Sequence, residues 1–90
     1  MLVLPAELTH AQAGACLSML VQALRRDAES LVVADASATV VFDSSALAVL
    51  LACRREALAL GKGFVVRGLH ARLASLAQLY GVSELLPVQG

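Results

Sequence analysis

Apolar residues along the chain fall into short unbroken runs and longer stretches of helical spacing, and the two alternate. Leu2-Val3-Leu4 reads as a short strand closed by Pro5, which has no amide donor to continue a ladder. Thr9-His10-Ala11-Gln12 fits a capping box, with Thr9 as the N-cap and Gln12 reaching back to its amide. The helix that follows carries Ala13, Leu17, Leu20, Val21 and Leu24 at helical spacing and ends in Arg25-Arg26-Asp27. A basic pair there suits the helix dipole. Leu31-Val32-Val33 predicts a strand buried on both faces. Asp35-Ala36-Ser37 is a turn, and Thr39-Val40-Val41-Phe42 is extended or loop-like. Asp43-Ser44-Ser45 opens a second helix, since Asp and Ser are preferred caps, and that helix runs to about Leu60 and stops at Gly61. Gly63 to Arg67 is the next strand. Gly68 and Leu69-His70 lead into a third helix with Leu69, Leu73, Leu76 and Tyr80 on one side, ended by Gly81. Leu85-Leu86-Pro87-Val88 is a terminal extended segment. The order β-α-β-α-β-α-β argues for an α/β fold with a largely parallel sheet and helical crossovers.

Composition sharpens this picture. The 90 residues suffice for one domain around one core, and 59% of them are hydrophobic against 16% charged. So small a domain cannot hide that much apolar surface, and contiguous exposed apolar patches mark partner surfaces. The second helix concentrates the surplus: Ala46 to Cys53 contains no polar side chain. Leu47, Leu50, Leu51 and Leu58 form one stripe, and Ala46, Val49, Cys53 and Ala57 another. One stripe can face the sheet; the other must face a neighbouring helix or a partner.

Charge and chemistry mostly exclude. The net charge is zero, and the aromatic residues are Phe42, Phe64 and Tyr80 alone, so neither a basic stripe nor a set of stacking platforms points to nucleic acid. Cys16 and Cys53 are far apart, lie in apolar helical stretches, and read as buried, reduced residues of a cytosolic protein. The longest apolar run, Ala46 to Cys53, falls short of the ~20 residues of a spanning helix. The N-terminus carries no basic leader or cleavage site, so it does not read as a signal peptide. His10 and His70 sit at helix starts, have no metal-ligand neighbours at suitable spacing, and read as solvated loop residues. Gly61-Lys62-Gly63 precedes a strand, not a helix, and is a helix-ending turn, not a phosphate loop. No catalytic set, metal site or cofactor is expected.

Asp43-Ser44-Ser45 is the segment of most interest. By spacing alone it is an N-cap. A phosphate on its hydroxyls would also meet free backbone amides and the positive end of the helix dipole.

Val41-Phe42-Asp43-Ser44-Ser45-Ala46-Leu47-Ala48-Val49-Leu50-Leu51 resembles the central motif of STAS domains, the fold of bacterial anti-sigma-factor antagonists. Gly63-Phe64-Val65-Val66-Arg67-Gly68-Leu69, with its helix and terminal strand, falls where that family has them. The likeness covers nearly the whole chain, as a single domain over residues 1–90, with the family's first strand missing or reduced. Leu4-Pro5-Ala6-Glu7-Leu8, Leu73 to Val82 and Leu86-Pro87 bring it closer to the small STAS subunit of the Mla phospholipid-trafficking ABC transporter, the MlaB type. That resemblance implies a non-enzymatic accessory subunit, without cofactor, that binds and supports the transporter's ATPase in phospholipid trafficking and outer-membrane lipid asymmetry. It also implies a cytoplasmic location, peripheral at the inner membrane only through a transporter complex. The resemblance places Ser44 at the family's key hydroxyl, a phosphorylated Ser in the antagonists and a Thr in the transporter subunit. Asp43, Ser44, Ser45, Ala46, Leu47, Ala48, Val49 and Thr9 are the expected partner-binding residues, with Ser44 the candidate phospho-acceptor. The alternative is a phosphorylation-regulated anti-sigma-factor antagonist, with an anti-sigma factor or kinase as partner. Two positions depart from the antagonist pattern: Thr9 stands where the antagonists carry Asp after Gly-Glu-Leu, and Ala46 replaces a common Gly.

Overall fold

The computed structural model describes residues 1–89. In chain order the elements are β1 (Leu2–Val3), β2 (Glu7–Leu8), α1 (His10–Arg26), β3 (Leu31–Asp35), β4 (Val41–Phe42), α2 (Ser44–Ala59), β5 (Gly63–Arg67) and α3 (Ala71–Leu79). A single 3-10 turn, Ser83–Leu85, follows. The main sheet runs β1-β3-β5, and both pairings are parallel. Beyond β5 the chain adds a parallel bridge, Val88 to Val66, with the Val66 amide donating to the Pro87 carbonyl at 2.8 Å. β1 lies at the opposite edge and is reduced to two residues.

This order explains where the helices go. Each strand pairs on the same side of its predecessor, so every right-handed crossover lands on the same face of the sheet. Leu2, Val32, Ala34, Phe64 and Val66 point into that face and are buried. Leu20, Leu24, Leu47, Leu50, Cys53 and Leu73 cover them from the helices. The other face has no helix, which corrects the expectation for Leu31-Val32-Val33: only Val32 is buried, Val33 is half-buried and Leu31 is 44% exposed. An uninterrupted apolar run therefore misreports a strand whose outer positions stay apolar without being covered.

The sequence pattern misses one element. At Pro5 the first segment leaves the main sheet and forms β2, which pairs in parallel with β4 (Glu7 with Val41, Leu8 with Phe42). The crossover is tied down by Thr39, the one buried polar residue among those described, whose hydroxyl donates to the Pro5 carbonyl at 2.8 Å. The Val40 amide donates to the Ala6 carbonyl at 2.9 Å.

Helix ends follow local rules closely. Gln12 Oε1 accepts both the Thr9 amide and the Thr9 hydroxyl at 2.8 Å, closing the expected box. Gly61 ends α2 with φ of 73°, and Gly81 follows α3 with φ of 72°. Lys62, in the turn before β5, turns its ammonium onto the carbonyls of Leu24 and Asp27, so a cation closes the C-terminal end of α1. In α3 the buried positions are Leu73 and Ala77, with Leu69 and Leu76 packed against the core. Tyr80 does not join that side as expected; it caps the helix and is 56% exposed. The thiols of Cys16 and Cys53 are free and buried. Burial, with the nearby Cys16 and Glu56, pushes the Cys53 thiol up to about 12.

Candidate functional site

The candidate site lies where strands end and helices begin. Leu8 pairs with Phe42, so the next residue on each strand, Thr9 and Asp43, becomes the N-cap of α1 and of α2 respectively. The two-stranded β2–β4 unit thus sets the starts of both helices side by side. Asp43 exploits this. Its Oδ1 accepts the Ser45 amide at 2.8 Å, the ordinary cap bond. Its Oδ2 accepts the His10 amide of α1 at 3.1 Å. One carboxylate therefore satisfies orphan donors of two helices, and both bonds favour its charged form. The His10 amide first, then the Ser45 amide, hold its pKa below the usual carboxylate range.

The sign of the consequence follows from linkage. The stabilisation is fully present above the ordinary carboxyl pKa of about 4 and disappears as pH falls through the lowered folded value. Asp43→Ala should lower Tm at neutral pH, because two amides lose their acceptor. Asp43→Asn should recover part of the loss, because one amide oxygen can serve only one of them. Thermal denaturation followed against pH should show the acid-side fall in Tm flattened in both variants; an unchanged acid limb would contradict the double cap.

The expected partner residues separate into three groups. Ser44 and Ala48 are exposed, one helical turn apart on the outer crest of α2; Asp43, Ser45 and Thr9 are half-buried. Ala46, Leu47 and Val49 are buried at 0%, 2% and 2% exposure, so they build the core and cannot touch a partner. The second apolar stripe of α2 is thus covered within the chain. Glu56 of α2 pairs with Arg25 of α1 at 3.3 Å, and Val49, Cys53 and Ala57 are buried. What remains apolar and open near the turn is Val40 and Val41, each at least half exposed.

The aromatic surroundings of the turn were not legible beforehand. His70 is the N-cap of α3, with its Nδ1 accepting the Arg72 amide at 3.1 Å, and is only partly exposed; it is not a solvated loop residue. Its ring meets Phe42 edge-on at 5.2 Å between centroids. The Arg72 guanidinium lies 5.5 Å from the same Phe42 ring. Among the described residues, no three His, Cys, Asp or Glu side chains gather into a metal-binding group.

Parallel strands feeding capped helices, with an exposed serine on the first turn of the central one, define a small α/β domain. The chain belongs to the STAS domain family: the family model described as "Mlab, STAS domain" matches residues 1–87. That family includes MlaB and the anti-sigma-factor antagonists, and its members are typically binding domains without catalysis. No curated protein matches the chain. No described helix is long and apolar enough to cross a membrane.

Proposed function

We propose that the protein is a non-enzymatic accessory subunit that docks on the ATPase of a phospholipid-trafficking ABC transporter, through the start of α2. The family match supports the class. The observation that carries the site is the exposure of Ser44 and Ala48 on a helix start held rigid by Asp43, beside the open Val40 and Val41. A rigid, partly apolar surface loses little entropy on docking. The departures at Thr9 and Ala46 make Ser44 chiefly a contact in this reading.

Co-expression with the ATPase of such a transporter should give a stable complex. Ser44→Arg and Ala48→Arg should each weaken it about tenfold or more, since a long charged side chain would be forced into a packed interface. Circular dichroism should show both variants folded. Absence of a complex, or indifference to both variants, would sink the reading. The exposed hydroxyl at the first helical position also favours a second reading, a phosphorylation-regulated anti-sigma-factor antagonist. Incubation with an anti-sigma kinase and ATP should then add a phosphoryl group at Ser44, visible by mass spectrometry.

A further inference from the structure

The exposed face shared by α2 and α3 has a one-sided charge. The two helices carry a single acidic residue, Glu56, and it is turned to α1, where it binds Arg25. Arg54, Arg55 and Arg72 remain on these helices, Arg54 half-buried and the other two exposed. Neither ion pair among the described residues, Met1 with Asp27 or Arg25 with Glu56, involves them. The chain as a whole is neutral, so this positive face reflects placement and not composition.

Helical geometry brings the cations to an apolar seam. On α2, Ser44, Leu51, Arg55 and Leu58 lie within about 60° of one another on the outer crest. On α3, Arg72, Leu76 and Leu79 lie along one side in the same way. On the opposite side of α3, Ala74 and Gln78 line a cavity with Leu86 and Val88, so Arg72 and Leu76 lie on the side away from it. The stack of Arg72 on Phe42, the residue two before α2, fixes that end of the seam. Leu51 and Leu76 are half-buried and form its floor, and Leu58 and Leu79 are 49% and 76% exposed farther along.

We infer that the α2–α3 seam receives an amphipathic helix of a partner protein whose apolar stripe is flanked by acidic side chains. The inference rests on the docking reading above and adds the chemistry of the partner. Two helices packed side by side leave a groove into which the ridge of a third fits. Charge complementarity chooses the occupant: guanidiniums beside a half-buried leucine floor gain most from carboxylates, and they penalise a basic partner.

The test uses two synthetic leucine-striped helical peptides of about 18 residues, one flanked by glutamates and one by lysines. Each is titrated into the isotope-labelled protein. The glutamate peptide should shift the amides of Leu51, Arg55, Arg72 and Leu76, and should bind about tenfold more weakly at high salt. The lysine peptide should leave them in place. In the Arg55→Glu/Arg72→Glu variant, whose spectrum reports its fold directly, the preference should reverse. Equal binding of both peptides, or of neither, overturns the inference. So does a shift of these amides by phosphatidylglycerol vesicles but not by the glutamate peptide, or by raising the protein concentration alone. The two readings fail separately. If Ala48→Arg breaks the ATPase complex while the glutamate peptide does not bind, docking stands and the acidic partner falls. If the peptides behave as expected but no ATPase complex forms, the acidic seam stands and the ATPase reading falls.

Discussion

Gly68→Ala should destabilise the protein by about 3 kcal/mol, a fall in Tm of roughly 15 °C for a domain of this size. Two costs combine. Gly68 has φ of 69°, a conformation that L side chains rarely adopt. A Cβ there would also stand 2.6 Å from the Cβ and 2.9 Å from the Cα of Ser37. Ser37 cannot step aside. Its amide and hydroxyl both donate to Asp35 Oδ1, at 3.0 and 2.6 Å, and the preceding Ala36 amide donates to the Arg67 carbonyl at 2.8 Å. Gly61 and Gly81 provide the controls, since both have positive φ but open space around a built Cβ. Gly61→Ala and Gly81→Ala should cost only about 1 kcal/mol each, the conformational part alone. Urea denaturation of the three variants would separate the contributions. Equal losses at all three positions would show that the Ser37 contact yields freely.

Leu50→Ala should cost about 3 kcal/mol, and Leu58→Ala less than about 0.5 kcal/mol. Both leucines belong to one stripe in the sequence pattern. In the fold Leu50 is fully buried at the middle of α2, whereas Leu58 is 49% exposed near its end. Removing the Leu50 side chain leaves a cavity between the sheet and the helix that carries Ser44 and Ala48. A small domain has only some 5–15 kcal/mol of stability in total, so the Leu50 loss is a substantial share of it. Denaturant midpoints at constant slope would measure the difference; a large Leu58 effect would mean that its side chain is covered. In that event the open end of the α2–α3 seam would be closed.

Most of the elements were legible because local chemistry marks their ends. Thr9 with Gln12, Asp43, Gly61 and Gly81 each stop or start a helix through groups within four residues of themselves. The strands around Val32 and Phe64 were equally plain from their β-branched and aromatic runs. What sequence alone could not reach depends on residues far apart. β2 has two residues and no run of its own, so only its pairing with Val41 and Phe42 defines it. The exposure of Leu31 depends on the order of three strands and the hand of their crossovers. At the site, Ser44 and Asp43 stood out as a cap, but the second bond of Asp43 spans 33 residues. No spacing rule separates Ala48, which is open, from Ala46, which is buried; the direction from which the sheet approaches α2 decides it.

The shared carboxylate of Asp43 has a dynamic consequence. A helix start held by its own cap can fray alone. Here, withdrawal of Asp43 from either amide disturbs the anchor of both, so the first turns of α1 and α2 open as one latch and not as two. A bulky or anionic group arriving at Ser44, next along the chain, pushes on that latch. The disturbance would reach α1 through the His10 amide without any shift of the sheet that both helices cover. The turn proposed to meet a partner is thereby also the joint on which two of the three helices hang.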